Sequence, residues 1–104
     1  MKKKTYGLEI TGHLDIFVGS DEDVLIHGDS EGLRSFADLL LKLADLNQEE
    51  QTDFPVGARE HYHLRPNLEL GKSSVQAIVG RLDAKGTGEF YGRYLAKDVA
   101  KPNL

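Results

Sequence analysis

The stretch Asp29-Ser30-Glu31-Gly32-Leu33-Arg34-Ser35-Phe36-Ala37-Asp38-Leu39-Leu40-Leu41-Lys42-Leu43-Ala44-Asp45-Leu46 decides the fold. Asp29 or Ser30 is of the type that caps a helix by accepting the free N–H groups of the first turn, and Glu31 adds favourable charge there. Leu33, Phe36, Ala37, Leu40 and Ala44 recur at helical spacing on one face, and Leu39, Leu43 and Leu46 widen it. Such a broad apolar stripe packs on a sheet, so the reading is one main helix ending near Leu46 or Asn47.

Working outward, the segments on either side read as strands. Tyr6, Leu8 and Ile10 alternate within Thr5–Thr11, and Leu14, Ile16 and Val18 alternate within His13–Val18. Both are patterns of half-buried strands. Gly19-Ser20-Asp21-Glu22-Asp23 is a turn, and Val24–Gly28 a short apolar strand. After the helix, residues 47–59 read as a loop and Glu60–Leu64 as a strand closed by Pro66, which has no N–H for a ladder. Ser74–Leu82 is rich in Val and Ile, Lys85-Gly86-Thr87-Gly88 is a hairpin turn, and Glu89–Leu95, holding Phe90, Tyr91 and Tyr94, is a last strand. The expected fold is α+β and two-layered: a mostly antiparallel sheet of about five strands, order β-β-β-α-β-β-β, with the helix on one face. Residues 1–104 are expected to form a single domain with disordered ends at 1–4 and 98–104.

Composition narrows the class. The chain has 104 residues, 39% apolar and 29% charged, which is a globular balance. There is no cysteine, which either favours a reducing compartment or is neutral on the question. No run approaches the roughly 18 apolar residues of a membrane span. Lys2, Lys3 and Lys4 are not followed by an apolar block, so they do not read as a signal peptide. Residues 15–53 hold eleven acids against Arg34 and Lys42, a net of −9 within a total of −4. A field of that sign repels nucleic acid and steers basic partners.

Chemical motifs are few. His61 and His63 alternate along a strand, so both face one way while Tyr62 and Leu64 face the other. Two imidazoles form half a metal site, with a third ligand to come from His27, Glu60 or Glu69; the competing reading is a wet outer face above a Tyr62–Leu64 core. Ser73 and Ser74 lack the surroundings of a nucleophile elbow. Asp21 with Asp23 lacks the ligand series of a calcium loop. Gly86-Thr87-Gly88 lacks the lysine of a phosphate-cradling loop. Tyr91, Arg93 and Tyr94, with Arg81, form an aromatic and basic group of the kind enriched at protein-binding hot spots.

Two stretches carry a resemblance. Ile26-His27-Gly28-Asp29-Ser30-Glu31-Gly32-Leu33 runs into the Leu-rich helix ending in Leu40-x-x-Leu43-Ala44. Glu60-His61-Tyr62-His63-Leu64-Arg65-Pro66 is followed by Leu70-Gly71-x-Ser73-Ser74 and a Val/Ile strand. Together, over about residues 24–82, they resemble the immunity protein thirty-two family, found beside polymorphic toxins in bacteria. The resemblance implies a cytoplasmic protein without catalytic residues that neutralises a toxin by binding it.

The expectation is therefore a partner-binding protein, not an enzyme, that needs no cofactor and meets a basic protein toxin rather than nucleic acid or membrane. Asp21, Glu22, Asp23, Asp45, Glu49 and Glu50 are expected to steer that partner, with His61, His63, Tyr91, Arg93 and Tyr94 as anchors. The alternatives are a small metal-dependent enzyme using His61 and His63, and a homodimeric module joined through an open sheet face or an edge strand.

Overall fold

The computed structural model describes residues 9–95. Its element order is β1 (Leu14–Val18), β2 (Val24–Gly28), α1 (Ser30–Asp45), a 3-10 turn at Gln48–Glu50, β3 (His61–Leu64) and β4 (Ala77–Gly80). The contacts cluster into two compact units. One joins the residues up to Leu46 with His61–Gly80; the other joins Asn47–Glu60 with the residues from Arg81 onward.

In the first unit β1 and β2 form an antiparallel hairpin with Leu14 opposite Gly28 and Val18 opposite Val24. The chain reverses through a tight turn in which Gly19 N donates to Asp23 O (2.8 Å) and Glu22 N to Gly19 O (2.9 Å). At the other end of the hairpin a single carboxylate organises the start of α1. Asp29 Oδ1 accepts from Gly32 N (2.7 Å), as an N-cap should, and also from His13 N (3.0 Å), while Oδ2 meets His13 Nδ1 at 3.0 Å. The helix is thereby anchored to the residue that precedes β1.

The core of this unit is Leu14 and Ile16 from β1, Phe36, Leu39 and Leu43 from α1, Tyr62 and Leu64 from β3, and Leu70. The alternation read for β3 is the one observed: Tyr62 and Leu64 are buried, His61 and His63 exposed. The helix face differs from the expected one. Gly32, Phe36, Leu39 and Leu43 are buried, whereas Leu33, Ala37, Leu40 and Ala44 are exposed. Apolar residues cover so much of the circumference that spacing alone does not choose a face, and Gly32 does. Its missing side chain lets the helix press against the His13 carbonyl, and a Cβ there would be driven into that oxygen.

The single five-stranded sheet is not what forms. There are four described strands in two separate two-stranded antiparallel sheets, β1-β2 and β3-β4. Leu64 pairs with Ala77 and His61 with Gly80. The far edge of β1 is taken by the irregular segment Gly71–Val75: Gly71 N donates to Leu14 O, Val75 N to Ile16 O, and Ile16 N donates to the Ser74 hydroxyl (3.1 Å). A side-chain oxygen stands where a strand's carbonyl would be, so no ladder propagates. Strand β4 starts at Ala77, later than the Ser74 expected. Of the strand expected at Thr5–Thr11, Glu9–Thr11 is not extended into a ladder and the rest lies outside the described residues, as do the expected disordered ends at 1–4 and 98–104.

The second unit is built on polar contacts. Gln48 is buried; its amide donates to Asp83 O (2.9 Å) and accepts from Glu60 N (2.8 Å). Lys85 Nζ donates to the carbonyls of Gln51 and Phe54 (2.5 and 2.7 Å). Arg59 donates to the carbonyls of Leu82 (2.7 Å) and Glu89 (2.8 Å), and Arg81 grips Asp83 with two bonds of 2.9 Å. The last expected strand, Glu89–Leu95, is absent. The Glu89 carbonyl is taken by Arg59 and by Ala84 N, and the chain then turns, with Tyr94 N donating to Tyr91 O (3.0 Å).

Two outcomes follow for the α1 anchor. Gly32→Ala, which would stabilise an ordinary helix interior, is expected to destabilise this one by about 1–3 kcal/mol through overpacking, measured by denaturant unfolding. The bonds from the His13 and Gly32 backbone hold the Asp29 carboxyl at about 2, below its usual 3.8. Its stabilisation is thus full above about pH 4 and lost as pH falls towards 2. His13 is raised above its usual 6.5 by its bond to Asp29, so its part is full below pH 6.5 and lost as pH rises through the raised value. The Tm gap between wild type and Asp29→Ala should therefore be widest between about pH 4 and 6.5, close as pH falls towards 2, and only narrow as pH rises through the His13 value, because the backbone bonds to Asp29 persist there; the effect is most visible at low salt.

Candidate functional site

The residues singled out in the sequence fall into five places. Asp21, Glu22 and Asp23 are exposed together at the β1–β2 turn, and Asp45 is exposed at the end of α1. Both belong to the first unit. Glu49 and Glu50 are exposed in the 3-10 turn of the second unit, where Glu49 Oε2 is engaged by Gly86 N (2.8 Å). Tyr91, Arg93 and Tyr94 also lie in the second unit, where the Arg59 and Arg93 guanidinium groups lie 4.2 and 5.3 Å from the Tyr91 ring centroid. Phe90 and Tyr94 meet edge to face at 5.1 Å. This is an aromatic and cationic cluster of the kind found at binding hot spots, with Phe90, Tyr91 and Tyr94 all exposed.

His61 and His63 stand side by side on the outer face of β3, ring centroids 5.2 Å apart. They border an open hollow whose lining includes Ile10, Leu39, Arg65, Leu68 and Glu69. Glu69 accepts from the Arg65 backbone (2.9 Å) and guanidinium (3.0 Å). Partial burial pushes the Glu69 carboxyl up, but these bonds outweigh it and leave the group below its usual range. Glu69 is thus committed to Arg65. Among the described residues no three His, Cys, Asp or Glu side chains converge as metal ligands, so the third ligand sought from His27, Glu60 or Glu69 is not brought up. His27 instead packs edge to face on Phe17 (5.3 Å).

The sequence reading expected an open sheet face or edge but did not name the apolar side chains exposed on the first unit. Val18, Val24 and Ile26 are 54%, 64% and 46% exposed on the hairpin, and Leu33, Leu40 and Leu41 are exposed on α1. The signal was present in β2, where Val24-Leu25-Ile26 offers no polar alternation. Exposed apolar side chains, where they are contiguous, are the kind of surface on which proteins dock.

The hairpin turn adds a conformational clue. Glu22 has φ +69°, the left-handed region, as does Asn67. Asparagine tolerates that region and glycine is usual there in a three-residue hairpin loop, but glutamate carries a cost. An acidic side chain is kept at the tip against local preference.

No described helix is long and apolar enough to cross a membrane. No curated protein and no solved structure matches the chain. The family model described as Immunity protein 32 matches residues 23–82, a span that holds β2, the capped helix, β3 with its paired histidines, and β4. The chain belongs to the Immunity protein 32 family.

Proposed function

We propose that this chain is an immunity protein that binds and neutralises a cognate bacterial toxin in the cytoplasm, acting by contact and not by catalysis. The observation that carries the reading is the family match over β2, α1, β3 and β4, whose first two elements expose apolar side chains beside acids. Asp21, Glu22, Asp23 and Asp45 steer a basic toxin, with Glu49 and Glu50 adding to the field. Val24, Ile26 and Val18 supply the dry contact. The His61–His63 face and the Tyr91, Arg93 and Tyr94 cluster are further contact points. The absence of cysteine agrees with a reducing compartment.

The test is co-expression with the product of the neighbouring reading frame. The expected outcome is restored growth and a complex that survives gel filtration. A neighbouring product that is harmless, or that kills equally with this chain present and does not bind it, sinks the reading. Replacing the strained acid separates fold from function: Glu22→Gly should raise stability by about 1 kcal/mol in denaturant unfolding. The same change should slow toxin association, with the loss shrinking as salt is added.

A further inference from the structure

Among the described residues the outer edge of β2 is an open backbone ladder. Asp29 N donates to His13 O, and Gly19 N to Asp23 O, so the odd-numbered pairs of the hairpin exchange the hydrogen bonds. The even-numbered residues of β1 turn their groups outward, where the Gly71–Val75 segment meets Leu14 and Ile16. By the same alternation, Val24 and Ile26 turn their N–H and C=O groups away from β1, on the opposite edge of the hairpin. Among the described residues no backbone or side-chain group pairs with them.

Proteins usually blunt such an edge with lysine, proline, a bulge or a covering loop. Val24-Leu25-Ile26-His27-Gly28 has no lysine and no proline, and its pairing with β1 runs in unbroken register. The side chains of Val24 and Ile26, with Val18 opposite Val24, form an apolar shelf on which alternate residues of an added strand would rest. Acids flank the strand at both ends: Asp21, Glu22 and Asp23 before it, Asp29 and Glu31 after it.

Charge chooses the occupant. Antiparallel pairing of two copies centred on Ile26 would set Asp23 of each against Asp29 of the other. Parallel pairing in register would set each acid beside itself. Like charges directly opposite destabilise a sheet pair. A foreign strand with basic ends meets attraction at both ends instead.

We propose that β2 is a docking edge that takes up, as a third strand, an extended segment of the toxin, apolar at alternate positions and flanked by Lys or Arg. The partner's identity as a toxin rests on the function proposed above; the edge and its chemistry do not.

The test has two arms. In the first, short peptides of alternating Val and Thr, capped at both ends by lysines or by glutamates, are titrated into the full chain while amide exchange is followed by NMR. The lysine-capped peptide should slow exchange at Val24 and Ile26 by about tenfold or more, and the glutamate-capped one should not. Equal protection by both peptides, or protection elsewhere only, overturns the proposal. In the second arm, Val24→Pro and Ile26→Lys are compared with wild type for binding the neighbouring-frame product. The Val24 N–H lies outside the β1 ladder and proline is tolerated at a strand's first residue, so the fold should hold, checked by Tm. Each variant should lose about tenfold or more in affinity, a change of roughly 1.4 kcal/mol. If the product binds wild type and both variants alike, the edge proposal falls and the toxin-binding reading stands. If no neighbouring product binds, that reading falls and the peptide arm alone decides the edge. A dimer of the free chain that Ile26→Lys abolishes would make a second copy the occupant and overturn the proposal.

Discussion

The Asp29 carboxylate is the junction on which the first unit depends. One of its oxygens collects backbone N–H groups from His13, just before β1, and from Gly32, in the first turn of α1. The rung Asp29 N to His13 O closes the hairpin at the same residue. The last rung of a sheet and the first turn of a helix therefore share one side chain. That sharing fixes where the helix begins and, with Gly32 pressed on the His13 carbonyl, which way it is rotated. The rotation puts Phe36, Leu39 and Leu43 into the core and leaves Leu33, Leu40 and Leu41 outside. An ordinary N-cap satisfies one or two helix donors; this one also sets which apolar surface remains uncovered.

The two units solve the problem of small size differently. The first buries a cluster of aliphatic and aromatic side chains, with Asp29 and Ser74 tying its segments together by side-chain hydrogen bonds. The second has one buried apolar residue among those described, Ala84, and relies on Gln48, Arg59, Arg81 and Lys85 reaching backbone carbonyls and carboxylates. Of these only Gln48 is buried; such bonds contribute modestly when complete and cost more when a buried partner is lost. They impose definite geometry all the same, which is how a stretch with almost no regular structure keeps its path.

Much of the first unit was legible because its signals are local. Leu14, Ile16 and Val18 alternate, the turn at Gly19–Asp23 is compositionally plain, and Asp29 stands where a cap should stand. The alternation of His61 and His63 with Tyr62 and Leu64 predicted both faces of β3 correctly. What failed depended on long-range partners. No local rule says that the Ser74 hydroxyl will end a sheet by taking the Ile16 N–H, fifty-eight residues away. Arg59 claiming the Glu89 carbonyl, thirty residues away, likewise cancels a strand that Phe90, Tyr91 and Tyr94 favoured by propensity. The acidic tip was visible as composition; the strained backbone of Glu22 that presents it was not. The apolar surface was hidden because a sequence lists hydrophobic residues without saying which of them find cover.

The exposure of Val18, Val24 and Ile26 has an evolutionary side. These side chains lie outside the buried cluster, so exchanging one opens no core cavity and carries little of the penalty that replacing Leu64 or Phe36 would bring. Surface positions free of structural duty can vary in single steps while the scaffold stays folded. Where these side chains meet the partner, as proposed above, a lineage carrying this fold can revise whom it recognises by changing a few neighbouring codons, and keep intact the cap and core that hold those residues in place.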